Sequence, residues 1–368
     1  MKIERLEVIP IKVPLGTTFQ GSKYAMSSRA TLITRIYTDS GVVGESYNGD
    51  EDHTQLQIAR IILDELGPLI KGLDPLLVER CWETMLPPTF DILRDRRLVM
   101  MGIAAIDSAL WDLCGKVAGL PLYRLWGGFR DELPVIAIGG YYGRSDAELA
   151  KEAEDYRRLG IGGCKFKVGG ATPEEDARRF AVMRKAAGDD FVMMADANQG
   201  YTVEEAIEFV RRVEGLGLRW FEEPVRWYND GRGMRDVRLK SGIPVAAGQS
   251  EMSRKGIAEL ILNGSIDICN FDASWGGGPT EWRRVAGLAA TMGVQMAHHE
   301  EAQIAAHLLA SVSHGTYVEV FHPERDPVFW NLIANRPTIA NGIYEVPQGP
   351  GFGLELDPSY IERYRVDS

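Results

Sequence analysis

The feature that most constrains the fold is a series of polar side chains, each of which follows a short apolar run. The members recur at intervals of 29, 26, 27, 23, 26 and 21 residues and are Lys167, Asp196, Glu222, Gln249, Asp272, His298 and Glu319. Each interval has room for one strand, one helix and their loops. Polar groups at the carboxyl ends of successive parallel strands are typical of a (β/α) barrel, whose chemistry lies at that end. The sequence therefore predicts an α/β barrel enzyme.

The length of 368 residues exceeds that of one barrel, about 200 to 250 residues, and predicts a second unit of about 100. Strand-like alternation predicts three antiparallel strands at residues 3–14, 30–38 and 42–47, with a mobile loop at 15–28. Helical periodicity follows from 52 to 119. We predict a capping unit at 1–128, the barrel at 129–339 and a glycine- and proline-rich tail at 340–368 that returns to the capping unit. The predicted barrel helices are 145–159, 172–187, 203–214, 231–241, 253–263, 280–292 and 303–312.

Composition limits the partners and the compartment. The net charge of −11 argues against nucleic acid and anionic membrane as main partners. The four cysteines lack paired spacing, which disfavours a zinc site or a disulfide framework. The amino terminus shows no signal sequence, and no apolar run approaches the roughly 18 residues of a membrane span. We therefore expect a cytoplasmic protein whose partner is a small molecule.

Charged residues near the predicted strand ends indicate a metal and an anionic substrate. Lys165 and Lys167 lie two residues apart on one face of a strand, where burial requires nearby anions or a lowered pKa. Asp196 and Glu222 end neighbouring strands. Two carboxylates at so short a distance require a cation between them. Oxygen ligands suit a hard cation, with Mg²⁺ first. The lysines would then face a substrate held on that metal.

A carboxylate–imidazole pair is predicted on the next strands. Asp272 and His298 lie one strand apart, so that Asp272 would fix the tautomer of His298 and raise its basicity. His299 is the alternative, but strand alternation predicts that it points away from the site. Glu319 on the last strand would be a further salt-bridge partner or, if protonated, a hydrogen-bond donor to a substrate oxygen.

In this order and spacing the motifs resemble the mandelate racemase subgroup of the enolase superfamily, over nearly the whole chain. A helical signature at residues 105–116 precedes the barrel motifs. The barrel motifs are Lys165-Phe-Lys167, Asp196-Ala-Asn198, Glu222-Glu-Pro224, Asp272 followed by Trp275-Gly-Gly-Gly-Pro-Thr-Glu281, His298 and Glu319. The resemblance implies a modified TIM barrel of (β/α)7β type, with an α+β capping domain formed from the N-terminal region and the C-terminal tail. It also implies a requirement for Mg²⁺.

The resemblance further implies roles for these residues in removing the proton alpha to a carboxylate. Lys167 would be the base on one face of the substrate, with Lys165 as its electrostatic partner. The neighbouring ammonium and partial desolvation would lower the pKa of Lys167. His298, paired with Asp272, would be the acid or base on the opposite face, and Glu319 would hydrogen-bond the substrate oxygens.

One position departs from the family pattern, which has glutamate as the third metal ligand directly after the glycine of the fifth strand. Here that place holds Gln249. Either the amide oxygen of Gln249 binds the metal, or Glu251 takes over, being two residues on and on the same side if the strand continues. Charge favours Glu251, and both assignments stay open at this point.

The implied reaction is dehydration of an acid sugar, an aldonate or aldarate, to a 2-keto-3-deoxy acid. Racemisation, epimerisation and lactone cycloisomerisation are the alternatives with the same groups. A barrel that binds a ligand without catalysis is the alternative of another class, favoured only by Gln249. Asn198 would contact the substrate. The loops at 15–28 and 47–53 would pack over the barrel mouth and set the substrate. Lys23 and Tyr24 in the first loop, and Arg29 beside it, could contact a distal hydroxyl or second carboxylate, but solvated residues are the preferred interpretation. A homo-oligomer is expected.

Overall fold

The computed structural model describes residues 1–49 and 52–366. The chain begins with an antiparallel sheet of β1 (Ile3–Gln20), β2 (Ala25–Thr38) and β3 (Val43–Asn48), in that order. The prediction of a mobile loop at 15–28 is wrong, because β1 and β2 continue as one long hairpin with a register shift between Pro14 and Phe19. Part of the second predicted loop, 47–53, lies outside the described residues.

Helices of the capping domain pack on this sheet. The long helix among them, Arg96–Ala118, begins at Asp95, whose side chain accepts from the amide of Arg97, and ends at the left-handed Gly119. Contrary to the sequence prediction, its length and apolar composition would suffice for a membrane span. However, 94% of its apolar window is buried, so it is a core helix of the cap. The helices are α1 (Gln55–Arg60), a π-helix (Ile61–Leu66), α2 (Gly67–Ile70), α3 (Val78–Thr84), a 3-10 turn (Pro87–Phe90), α4 (Arg96–Ala118) and α5 (Leu122–Leu125).

Eight parallel strands form the barrel, which closes where the eighth pairs with the first. The strands are β4 (Glu132–Gly139), β5 (Gly163–Lys167), β6 (Val192–Asp196), β7 (Leu218–Glu222), β8 (Val245–Ala247), β9 (Ile268–Cys269), β10 (Gln295–Met296) and β11 (Val318–Phe321). The helices between them are α6 (Asp146–Arg158), α7 (Pro173–Ala187), α8 (Val203–Arg212), a 3-10 turn (Trp227–Asn229), α9 (Asp230–Ser241), α10 (Arg254–Leu262), α11 (Gly278–Met292) and α12 (Ala302–Ala310). The seven predicted helices are confirmed, with ends within two residues.

The barrel interior below the catalytic end is apolar. Side chains from several strands fill it, among them Ile136, Met194, Trp220 and Ile268. This packed layer forms a floor, so polar groups can meet only above it, at the carboxyl ends of the strands. The four cysteines are buried free thiols.

The tail closes the barrel from below and returns to the cap. After α13 (Pro327–Leu332), the strands β12 (Ile339–Ala340) and β13 (Ile343–Glu345) form a hairpin, and β13 pairs with the amino end of β4. The amide of Phe352 donates to Asp112 of α4 at 3.0 Å. Beyond α14 (Pro358–Tyr364), the amide of Val366 donates to the carbonyl of Pro10 at 2.9 Å. The tail therefore follows its predicted course, whereas the domain bounds at 128 and 339 stay a prediction.

Arg29 joins the cap to the barrel, and its burial contradicts the interpretation of a solvated loop residue. Its side chain is buried, and its guanidinium lies 2.8 Å from Glu301 Oε1 and 3.2 Å from Asp326 Oδ1. It also donates to the carbonyl of Gly49 at 2.6 Å. Burial raises the pKa of the Glu301 carboxyl to about 7, and Arg29 opposes that rise. The guanidinium is therefore committed to holding two buried carboxylates of the barrel.

We expect Arg29→Ala to lower the free energy of unfolding by about 3 to 5 kcal/mol, because it leaves buried carboxylates without their cation. Urea denaturation followed by circular dichroism measures this change. Arg35→Ala is the control, since Arg35 pairs with Glu45 on the partly exposed face of the same sheet and should cost no more than about 1 kcal/mol. Equal effects of the two substitutions would contradict the structural role of Arg29.

Candidate active site

Lys165 and Lys167 project from one face of β5 into the barrel mouth, and both are buried. The ammonium of Lys165 lies 2.7 Å from Glu222 Oε1, 2.6 Å from Glu319 Oε1 and 4.0 Å from Asp196 Oδ2. Lys167 Nζ lies 2.7 Å from Asp196 Oδ2 and 3.0 Å from Asn198 Oδ1. The structure therefore brings together residues that the sequence predicted from four separate segments: Lys165, Lys167, Asp196, Asn198, Glu222 and Glu319.

Strand register explains why these groups meet. Lys167 pairs with Asp196 across β5 and β6, and Asp196 pairs with Glu222 across β6 and β7. Each residue is the last of its strand, so all three side chains emerge at the same level above the apolar floor. The two carboxylates are fully buried. Burial of an unpaired ion costs several kcal/mol, and contacts with the lysines offset that cost.

The lysines and carboxylates leave an excess of negative charge. Three buried carboxylates, Asp196, Glu222 and Glu319, share two ammonium groups. Burial, together with repulsion from Asp196 and Glu319, raises the pKa of Glu222 to about 8 despite the attraction of Lys165. For Asp196, burial also acts to raise the pKa, but Lys167 and Lys165 prevail and lower it. One further cation would balance the site.

The expected lowering of the Lys167 pKa is wrong for the site as the structure describes it. Burial disfavours the ammonium, but the attraction of Asp196 outweighs burial and holds the pKa of Lys167 well above its usual range. The pKa of Lys165 is raised in the same way, against burial, by Glu222 and Glu319. The carboxylates rather than the neighbouring ammonium therefore control both lysines.

The residues present fit a hard cation. Buried oxygens at this end of the barrel that have no hydrogen-bond partner among the described residues include Glu222 Oε2, Gln249 Oε1 and Asn270 Oδ1. The other oxygen of Glu222 is already occupied by Lys165 and by Asn270 Nδ2, which donates at 2.8 Å. Glu222 therefore keeps one oxygen free. Oxygen ligands of this kind suit Mg²⁺.

The structure favours Gln249 over Glu251 for the third ligand. Strand β8 ends at Ala247, so the alternation that would bring Glu251 to the same side does not continue. Glu251 instead lies with Glu223 and Asp230 in a small cavity outside the barrel mouth. Within residues 1–49 and 52–366, no three His, Cys, Asp or Glu side chains gather as a metal site.

The predicted pairing of Asp272 with His298 is wrong, because Asp272 pairs with His299. His299 Nδ1 lies 2.9 Å from Asp272 Oδ2, and His299 Nε2 lies 3.3 Å from Glu300 Oε1. Burial disfavours the imidazolium, but Glu300 and Asp272 hold the pKa of His299 well above its usual range. The ring packs against Trp275 with centroids 4.9 Å apart.

His298 has a structural role. Its Nε2 accepts from the amide of Ala273 at 3.0 Å, and its Nδ1 lies 2.9 Å from the carbonyl of His299. A ring that accepts on one nitrogen and donates on the other is neutral, and burial lowers the pKa of His298. The prediction extended strand alternation past the end of β10 at Met296. There the chain leaves the strand, and the repeat of two no longer applies.

Sequence reasoning missed Glu300, which contacts two residues of the site. Its carboxylate faces His299, and its amide donates to Glu319 Oε2 at 2.9 Å. Both Glu300 and Glu301 adopt left-handed backbone conformations, with φ of 51° and 47°. No sequence signal predicts two consecutive glutamates in the left-handed conformation, which favours glycine and asparagine.

The β1–β2 hairpin covers the lysine side of the mouth. Tyr24 lies with its ring centroid 5.6 Å from Lys167 Nζ. The ring folds over Gly21, where a Cβ would come within 2.2 Å of Tyr24 Cε1, so any larger residue at position 21 would displace the ring. Lys23 is exposed on the hairpin turn. Of the predicted substrate contacts, Tyr24 and Asn198 therefore lie beside Lys167, and Lys23 faces solvent.

Comparison with known families gives two matches that together span most of the chain. Residues 5–127 match the family described as mandelate racemase / muconate lactonizing enzyme, N-terminal domain. Residues 148–360 match the family described as enolase C-terminal domain-like.

Similar proteins include sugar-acid enzymes. An arabinonate dehydratase of Saccharolobus solfataricus is 32% identical, over 92% of this chain and 91% of its own length. A D-galactarolactone cycloisomerase of Agrobacterium fabrum is also 32% identical, over 100% of this chain and 99% of its own. A crystal structure of a mandelate racemase/muconate lactonizing enzyme from a marine actinobacterium, in complex with magnesium, is 50% identical. Its TM-score is 0.94, with 100% of this chain and 99% of that one covered.

We expect Gln249→Glu to tighten Mg²⁺ binding on the order of tenfold, because it adds a negative charge to the ligand set. Glu251→Gln is the matched control and should leave the affinity unchanged, since its carboxylate lies in a separate cavity. Isothermal titration calorimetry of the metal-free proteins with Mg²⁺ measures both. Weaker binding on Glu251→Gln, with no gain on Gln249→Glu, would reverse the assignment.

Proposed function

The chain belongs to the mandelate racemase and muconate lactonizing enzyme family of the enolase superfamily, and we propose that it dehydrates an acid sugar. The enzyme would remove the proton alpha to the carboxylate and expel the β-hydroxyl as water, giving a 2-keto-3-deoxy acid. Relatives named arabinonate dehydratase and L-talarate/galactarate dehydratase support an aldonate or aldarate as substrate.

The cofactor is Mg²⁺, as in crystal structures of similar proteins. Asp196, Glu222 and Gln249 would hold it, because they supply two carboxylates and one buried amide oxygen that lacks a donor. When bound there, the metal would offset the negative charge that develops on the substrate carboxylate. It would also neutralise part of the charge of Asp196, whose attraction raises the pKa of Lys167. Lys165 and Glu319, which form an ion pair, would fix the position of that carboxylate.

Lys167 is the proposed base. Its ammonium contacts Asp196 and Asn198, and Tyr24 covers it from the cap, so a substrate between these groups would be shielded from water. Lys167 lies on the second barrel strand, whereas His299 follows the seventh, so the two groups reach the mouth from different sides. A base on one side and an acid on another suit a reaction in which the base removes the α-proton and the acid protonates the departing β-hydroxyl.

His299 is the proposed acid, and its contacts are the observation that carries the proposal. Each ring nitrogen faces a carboxylate, Asp272 at 2.9 Å and Glu300 at 3.3 Å, so the imidazolium is the favoured form. Lys167 takes the α-proton, the C–H electrons form the C=C bond, and the β-carbon–oxygen bond breaks. His299 protonates the departing hydroxyl, which leaves as water, and the enol becomes the 2-keto acid.

Cycloisomerisation of a sugar lactone is the second candidate. The same base and acid would serve if the group at the β-carbon were a lactone carboxylate instead of a hydroxyl. The D-galactarolactone cycloisomerase that matches the whole of this chain favours this alternative. Racemisation fits less well, since His299 would have to act as a base in one direction. A binding barrel has no need for acid and base on separate sides.

The test is a panel of mono- and diacid sugars and their lactones, each incubated with the Mg²⁺-loaded enzyme. Dehydration produces a 2-keto acid from an acyclic acid, detectable as its semicarbazone. Proton NMR in D₂O follows exchange of the α-hydrogen in the same samples. Product formed only from lactones would establish cycloisomerisation in its place, and a full panel without exchange or turnover would refute the catalytic proposal.

We expect His299→Asn to lower the dehydration rate by about 100-fold or more, because it removes the proton donor. Exchange of the α-hydrogen with D₂O should persist in this variant, since Lys167 still removes the proton. Lys167→Met should abolish both. These rates are measured by NMR on the substrate that the panel identifies.

His298→Asn is the matched control for His299→Asn. We expect it to keep the dehydration rate within about tenfold, because both nitrogens of His298 contact the backbone. Thermal melting shows that the variant is folded. If His298→Asn stopped dehydration in a folded protein while His299→Asn did not, the assignment of the acid would be wrong.

A further inference from the structure

We infer that Glu300 is a positioning residue that keeps His299 protonated and so makes it a dedicated proton donor, an inference that rests on the proposed function. The carboxylate of Glu300 would act through His299, whose proton is transferred. The imidazole would then be flanked by two carboxylates, Asp272 and Glu300, instead of belonging to a simple dyad.

The contacts of the ring carry this inference. A carboxylate only accepts hydrogen bonds, and a neutral imidazole has one nitrogen that donates and one that accepts. His299 has a carboxylate oxygen at each nitrogen, 2.9 Å from Nδ1 and 3.3 Å from Nε2. Both contacts are favourable only when both nitrogens carry a proton. The neighbouring His298 has one donor and one acceptor instead, which is the pattern of a neutral ring.

The backbone is held so that Glu300 meets the ring. Residues 300 and 301 are both left-handed, which L-residues other than glycine disfavour. Two contacts fix this conformation: the amide of Glu300 donates to Glu319, and the carboxylate of Glu301 pairs with the buried Arg29 of the cap. Contacts from both the barrel and the cap stabilise this disfavoured backbone conformation. The position of the Glu300 side chain beside His299 is therefore fixed by the tertiary structure.

The other charged groups around His299 and Glu300 also favour the imidazolium or the carboxylate, or they lie further away. Glu223 interacts with His299 from β7, and Arg325 and Arg29 interact with the carboxylate of Glu300. Trp275 covers one face of the ring, and Arg97 lies beyond it, 5.2 Å from the indole. For Glu300, burial disfavours the carboxylate, but His299 and the arginines lower its pKa. The pair is thus an imidazolium and a carboxylate.

This proton state selects among the reactions open to the site. An imidazolium can protonate a leaving hydroxyl, whereas inversion at the α-carbon requires a neutral imidazole in one direction. The raised pKa of His299 means that the acid is present below that pKa and is lost as the pH rises through it. Removing Glu300 would shift this loss to lower pH. The substrate hydroxyl would take the place of Glu300 at Nε2 when it binds.

Histidine-selective ¹⁵N labelling of the Mg²⁺-loaded protein tests this inference without any substrate. The two ring nitrogens of His299, assigned with His299→Asn, report their protons directly by NMR. We expect wild-type His299 to stay doubly protonated through neutral pH, and Glu300→Gln to lower its midpoint by about 1 to 2 pH units. Glu300→Leu, which also removes the hydrogen-bond acceptor, should lower it at least as far.

Glu324→Gln is the matched control, since it removes one negative charge from an exposed site beside His322. It should leave the His299 midpoint unchanged. With a substrate in hand, Glu300→Gln should shift the alkaline limb of dehydration to lower pH while α-hydrogen exchange keeps its rate. Glu300→Asp should restore part of the shift.

An unchanged His299 midpoint in both Glu300→Gln and Glu300→Leu would overturn the inference, as would a neutral His299 in the wild type. Equal losses of exchange and dehydration in Glu300→Gln would overturn it as well, because they indicate general damage to the site. If no acid sugar reacts but the midpoint shifts as expected, the proposed function fails and the assignment of the proton state stands.

Discussion

The barrel mouth depends on the buried ammonium of Lys165, which reaches carboxylates from three other strands. It contacts Glu222 and Glu319 directly and lies within 4.0 Å of Asp196. Without it, these anions could not share one cavity, because each would be buried beside like charges. The lysine leaves the balance incomplete, however, since even with Lys167 there are two cations for three anions. A site with this excess of negative charge can bind a further cation. The oxygens without a hydrogen-bond donor, on Glu222 and Gln249, are available to bind it.

The catalytic groups also depend on contacts between the cap and the barrel. Arg29 of the sheet pairs with Glu301. The preceding residue is Glu300, whose carboxylate contacts His299. The amide of Glu300 holds Glu319, which in turn contacts Lys165. The acid on one side of the mouth is therefore connected through short contacts to the lysine cluster and to the cap. A capping domain that only covered the substrate would not need this buried ion pair.

The sequence predicted the site well where strands are long and poorly where they are short. Lys165, Lys167, Asp196 and Glu222 lie on strands of five residues, so alternation and register place them as predicted. Strands β8 and β10 have only three and two residues, and the polar residues follow after the strand has ended. Charge favoured Glu251 over Gln249, and the regular interval favoured His298 over His299. Both choices also assumed that strand alternation continues into those loops. Glu300 was missed because its position results from an unfavourable backbone conformation that only tertiary contacts stabilise.

The two histidines show how neighbouring residues of one type acquire opposite protonation. Both are buried, and burial alone favours the neutral ring for each. His298 meets an amide and a carbonyl, which together satisfy a neutral imidazole. His299 meets two carboxylates, which together satisfy only an imidazolium. The partners therefore determine which residue can donate a proton, and the bend of the chain after Met296 determines the partners.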